Sequence, residues 1–184
     1  SLDSMIIRLQ TISGEKSSYF VSMLKSDIKG VYGPVRDLYT VDPKYITAID
    51  ASLGPRANYV VVENEDVAIQ CIEYLKQNKL GRTTFLPITK MRGPIPEVRS
   101  GKGFLGLAKN LVQYDENLRN IFAFVLGNTY IVSDLKTVKG FVGKARMVSL
   151  DGDVAEKSGA MRGGHSGKKQ GERKEIEECV KSRD

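Results

Sequence analysis

Short apolar blocks alternate with amphipathic stretches through the middle of the chain, and the same order of blocks occurs twice. Shifting the chain by 73 residues lays "GLAKNLVQYDENLRNIFAFVLG" on "GPVRDLYTVDPKYITAIDASLG". Gly33 then meets Gly106, Leu38 meets Leu111, Asp42 meets Asp115, and Leu53-Gly54 meets Leu126-Gly127. Each stretch leads into an apolar strand pattern, "YVVVE" or "TYIVS", then a helical segment, then a short strand, "TFLPI" or "RMVSL". Asp42 before Pro43 has the form of an N-cap with proline at the first helical position. Gly54 and Gly127 stand where a left-handed residue ends a helix. The pattern predicts one unit encoded twice, strand, helix, strand, helix, strand, in a mixed α/β (α+β) fold.

The flanks follow a different period. Leu2, Met5, Leu9 and Ile12 are spaced as the a and d positions of a heptad, and the register continues through Tyr19 and Met23. At the other end "ERKEIEECVKSRD" is charged and helix-prone, with Ile176 and Val180 four apart. Between the units, "MRGPIPEVRSGKG" is rich in Pro, Gly and Arg and reads as a linker. Two of its last residues, Gly101 and Gly103, with Gly106 just beyond, make a G-x-G-x-x-G spacing. Pro94 and Pro96 occupy the place where the strand of a dinucleotide fingerprint belongs, and Gly106 is already explained as the partner of Gly33.

Charge changes the picture more than composition does. Residues 79–109 hold seven Lys and Arg against one Glu, and residues 157–174 hold six against one, while the remaining segments are slightly acidic. Two such windows on one chain can form a polyanion-binding surface. Candidate catalytic chemistry is sparse. His165 is the only histidine, and Cys71 and Cys179 match no metal spacing and suggest a reducing compartment. Asp151 and Asp153 in "LDGD" have the form of turn residues rather than an acid/base pair. Gly167-Lys168 imitates the end of a P-loop. Arg162 stands in place of the first glycine, however, and Lys169 in place of the hydroxyl residue that holds Mg²⁺. No apolar run approaches a membrane span, and the N-terminus does not read as a secretory leader.

"GVYGPVRDLYTVDPKYITAIDASLG", "YVVVENEDVAIQCIEYLKQNKLGRTTFLP" and "MVSLDGDVAEKSGAMRGG" resemble the hinge domain of SMC (structural maintenance of chromosomes) proteins, from about Gly30 to Lys168. Pro55 departs from the small residue more usual after the capping glycine. The resemblance implies an N-terminal coiled-coil stub over 1–28, hinge subdomains over 29–100 and 101–167, and a second antiparallel stub over 168–184. It implies dimerisation with a second hinge, most simply an identical chain about a two-fold axis. The contact would be made by Met147, Gly159, Met161, Arg162, Gly163 and Gly164, facing an exposed strand edge near Thr83–Leu86. It implies sequence-independent DNA contact, for which Lys102, Lys168, Lys169, Arg173 and Lys174 are the candidates. It also implies a chromosome-associated, cytoplasmic setting, with no membrane and no cofactor in this chain, and ATP and Mg²⁺ at the heads of a longer chromosome condensation and segregation ATPase. The alternative is a stand-alone nucleotide or nucleic-acid enzyme built on the Gly/Lys-rich loop, which ATP binding would reveal.

Overall fold

The computed structural model describes residues 16–165, with side chains from Val21 onward. The first heptads and the 168–184 stub, with Lys168, Lys169, Arg173 and Lys174, lie outside the described residues. The chain runs α1 (Lys16–Asp27), β1 (Val31–Pro34), β2 (Tyr39–Val41), α2 (Ile46–Leu53), β3 (Val60–Val62), α3 (Glu65–Gln77) and β4 (Phe85–Pro87). The second unit follows as β5 (Phe104–Leu107), a single turn α4 (Ala108–Leu111), β6 (Val112–Tyr114), α5 (Arg119–Val125), β7 (Tyr130–Val132) and β8 (Met147–Ser149). A hairpin, β9 (Val154–Ala155) and β10 (Met161–Arg162), completes it.

The repeat holds at the level of hydrogen bonding. β1 and β5, and likewise β2 and β6, lie 73 residues apart at both ends. Each opening strand pairs antiparallel with the third strand of its unit, Val31 opposite Val62 and Phe104 opposite Val132, with a bulge just before Gly33 or Gly106. Gly33 (φ 126°) and Gly106 (φ 139°) supply the backbone angle that the bulge requires. Each third strand then pairs parallel with β4 or β8. Asp42 and Asp115 both accept a backbone N–H two residues on, from Lys44 and Asn117, each at 3.1 Å. Gly54 and Gly127 take positive φ at the ends of α2 and α5.

β2 and β6 join the units, and their register shows how. Thr40 pairs with Gln113, its own repeat equivalent, while Tyr39 pairs with Tyr114 and Val41 with Val112. An antiparallel pair centred on equivalent residues is an isologous contact, so a pseudo-two-fold axis passes between Thr40 and Gln113. Tyr114 stacks on Phe122 at 4.3 Å and Tyr39 meets the same ring edge-on.

Strands alternate their side chains between two faces, and here both faces are covered. Val61, Ile131, Val148 and Val154 enter one shared core with Ile49 and Leu53 of α2 and Ile121, Phe122 and Val125 of α5. Val60 and Val62 enter an outer cluster with Leu24, Cys71 and Leu75. Tyr130, Val132, Met147 and Ala155 enter another with Val138. Among the described side chains, Val21 and Leu24 of α1 and Ile28 just after it reach the core, a stripe offset from the Met23 register. Burial pushes the Cys71 thiol up to about 11, so at neutral pH it is a protonated apolar filler.

Two expectations are corrected. The second unit has no counterpart of α3. Asp134 occupies the equivalent of the Asn64 N-cap and accepts the Thr137 N–H at 2.7 Å, a bond that holds its carboxyl below the usual carboxylate range. The segment then makes only turns and a 3-10 turn over Lys139–Phe141. Gly140 and Gly143 and the β-branched Thr137, Val138 and Val142 disfavour helix there, whereas α3 contains no glycine. Met147 is the second correction. It is fully buried in the outer cluster, on a strand paired on both sides, so it cannot face a partner.

Candidate dimer interface

The two sheets run in the order β1-β3-β4 and β10-β9-β8-β7-β5. Each unit therefore presents one late strand with an unpaired side, β4 in the first and β10 in the second.

β10 is carried on two tight turns. In "LDGD", Asp153 donates its N–H to the Ser149 hydroxyl at 3.0 Å and Gly152 donates to the Ser149 carbonyl at 2.9 Å. The second turn closes with the Glu156 N–H on the Ala160 carbonyl at 2.8 Å and the Gly159 N–H on the Glu156 carbonyl at 2.9 Å. Gly159 has φ 96°, which this turn requires. Met161 then pairs with Ala155 and Arg162 with Val154.

Four of the predicted contact residues thus share one exposed ribbon with Gly159, but the glycines do different jobs. A Cβ on Gly163 would overlap the Asp153 carboxylate, so that position is packed within the chain. Gly164 donates its N–H to the same carboxylate at 3.2 Å. Space beside Gly159 and Gly164 is open, leaving room for a second backbone. Asp153 is therefore a brace for the ribbon, in keeping with its reading as a turn residue.

Ladder alternation decides which groups the edges offer. Glu156–Ala160 is a bonded pair, so Arg162 faces β9 and the Met161 N–H and C=O face outward. The Met161 side chain lies on the face of its cross-strand neighbour Ala155, a member of the outer cluster, and is 57% exposed. On β4, the Thr84 carbonyl and the Ile88 N–H bond to β3, each at 2.9 Å, which turns the Phe85 N–H and C=O outward. Phe85 is half-buried against the other outer cluster. Pro87 faces the open side, where its missing N–H costs no ladder bond.

Other candidates lie apart from this ribbon or have no chemistry near them. The turn carrying Gly101 and Gly103 enters β5; a Cβ on Gly103 would press on Thr137 and Val138, so that glycine serves packing, whereas Gly101, with open space beside it, serves the backbone angle of the turn (φ 133°). Lys102 is exposed on that turn, and His165 is exposed after β10. Among the described residues no group of His, Cys, Asp and Glu is placed to hold a metal ion, and no helix is long and apolar enough to cross a membrane. Sequence reasoning missed Arg146, whose guanidinium bonds across both units; a lone Arg in "KARMVSL" carries no pattern that announces this.

A family model for the SMC proteins flexible hinge domain matches residues 28–139. The chain belongs to the SMC hinge family. The hinge is 42% identical over 152 residues to the chromosome partition protein Smc of Synechocystis, covering 81% of this chain and 13% of that protein. It is 43% identical over 142 residues to Smc of Pyrococcus furiosus, covering 77% of this chain and 12% of that protein. The crystal structure of the Pyrococcus furiosus SMC hinge superposes with a TM-score of 0.71 at 43% identity, covering 79% of each chain. An asymmetric dimer of the Geobacillus stearothermophilus SMC hinge superposes with a TM-score of 0.77 at 30% identity, covering 98% of this chain and 81% of that one.

Proposed function

We propose that this hinge joins two SMC chains by adding β4 of one to β10 of the other, twice about a two-fold axis, so that two contacts close a ring. The observation that carries this reading is the pair of late edge strands, β4 and β10, one in each unit, whose outward backbone groups are unpaired among the described residues. At both, the outward-facing backbone belongs to an apolar residue: Phe85, packed against one outer cluster, and Met161, exposed beside Ala155 of the other. Strand addition supplies main-chain hydrogen bonds, and the adjoining apolar side chains supply burial. The simplest partner is an identical chain, and the Geobacillus stearothermophilus relative is described as a hinge dimer. Light scattering at micromolar concentration tests the reading: twice the chain mass supports it, and the mass of a single chain overturns it.

DNA contact is the second part of the proposal, supported by the two basic windows. Lys102, Lys168, Lys169, Arg173 and Lys174 hold phosphates without reading sequence, while Lys90 and Arg99 of the first window are partly committed to Glu65 and Glu97. Changing those five to Glu lowers affinity for every duplex tested and lessens the slope of log affinity against log salt by about 0.9 for each phosphate no longer neutralised, with dimerisation unchanged. An unaltered salt slope moves the DNA site elsewhere. In the longer protein this module would be a non-catalytic link in a chromosome-associated, cytoplasmic ATPase whose ATP and Mg²⁺ sites lie at its heads. ATP binding by the hinge alone would favour the stand-alone enzyme instead.

A further inference from the structure

We propose that Arg146 is a positioning residue for the dimer contact, locking the β9–β10 ribbon to the first unit of the same chain. This rests on the reading of β10 as a dimer edge. The Arg146 Nε donates to Glu156 Oε2 at 3.0 Å. One terminal nitrogen, Nη1, donates at 3.0 Å both to the Ser52 carbonyl and to the Thr129 hydroxyl. Each acceptor belongs to a different part of the structure. Ser52 lies in the last turn of α2, where main-chain carbonyls lack helical partners and a cation is favoured. Thr129 is 3% exposed, and its carbonyl receives the Ala108 N–H at 2.9 Å, just after β5. Glu156 is the residue whose N–H and C=O close the β9–β10 turn. One planar guanidinium therefore ties the end of a first-unit helix, the entry to β7 and the root of the ribbon into one body.

Position matters here because of ring closure. If each chain must present β4 and β10 at once, the second contact forms well only when the two edges hold a fixed relation within the chain. Arg146 and its side-chain partner Glu156 are only 24% and 36% exposed, so the pair is shielded enough to hold geometry, unlike the Arg119–Glu116 pair, which is 72% and 81% exposed. Gly152 supports the same junction, because a Cβ there would press on Thr47 of α2.

The test compares dimer dissociation constants, by sedimentation well below the melting temperature, for the intact chain and for Arg146→Met, Arg146→Lys and Glu156→Gln. Arg146→Met is expected to keep its circular dichroism and to dimerise more weakly by roughly tenfold or more. Arg146→Lys restores part of the affinity, because a point cation reaches fewer of the three acceptors. Glu156→Gln keeps an acceptor and costs less than Arg146→Met. The double variant Arg146→Met/Glu156→Gln is no weaker than Arg146→Met alone. A merely structural role predicts a lower melting temperature with an unchanged dissociation constant, and that result overturns the proposal. If Arg146→Met does not fold, the Lys and Gln variants decide on the same measure: affinities equal to the intact chain overturn it. A monomeric intact chain overturns the dimer reading itself, whereas a dimeric intact chain with unaffected variants overturns only the role of Arg146.

Discussion

Met161→Glu combined with Arg162→Glu gives a folded monomer. Both side chains are exposed on β10, outside every core cluster, so the fold loses little. The dimer loses the Met161 apolar surface and gains two carboxylates at a strand edge, where charge blocks pairing. Losing about 2 kcal/mol at each of two contacts weakens association by roughly a thousandfold. The asymmetry of the contact adds a sharper expectation. A chain with a damaged β10 still owns an intact β4, so mixing it with the unaltered chain forms a mixed dimer held at one contact and open at the other. Its stability falls between the two homodimers, and sedimentation of labelled mixtures reads it directly. A double variant that remains dimeric at micromolar concentration removes β10 from the interface. Gly163 is a less clean place for the same test, because a side chain there would push aside the Asp153 carboxylate that accepts the Gly164 N–H.

Gly93→Val destabilises the hinge by about 3 kcal/mol, a large effect for a residue in a segment without regular structure. A Cβ at Gly93 would overlap the main-chain carbonyl of Ala123 in α5, and backbone in a helix cannot turn aside as a side chain does. Pro94 follows, fixing the chain direction and lying 4.0 Å from the position a Cβ on Gly127 would take. The linker is therefore seated on the second unit. The check is urea unfolding followed by circular dichroism: an unchanged midpoint for Gly93→Val shows that the linker moves away freely. Gly140→Val, where a Cβ meets open space, is the control for glycine replacement as such.

The duplication was legible because it is written in residues whose chemistry is local. A glycine at a bulge, an aspartate cap and a glycine helix stop are dictated by the backbone at that position, so they recur at 73-residue spacing in sequence and structure alike. What was not legible depends on which surfaces meet. Nothing in "YTV" and "VQY" says that they pair with each other, and that pairing defines the pseudo-two-fold axis. Met147 and Met161 are both methionines in short strands. One is buried against Val138 and the other is exposed on an edge strand, and only the strand order separates them. The helix expected after Val132 failed because an N-cap starts a helix but cannot sustain it through two glycines. Arg146 was invisible because its three acceptors are 10, 17 and 94 residues away in the chain.

The ring of crossed contacts is tested most directly by a chain carrying Thr84→Cys and Arg162→Cys, with Cys179→Ser and the buried Cys71 left in place. Both new thiols lie on exposed residues of, or beside, the two edges, on the face opposite Phe85 and Met161. Mild oxidation of the dimer is expected to yield a covalent product of twice the chain mass, formed only when both substitutions are present somewhere in the pair. Single-cysteine chains mixed one to one should give the same product at half the number of bridges. A bridge confined within one chain, or no bridge between chains that still sediment as a dimer, contradicts the pairing of β4 with β10.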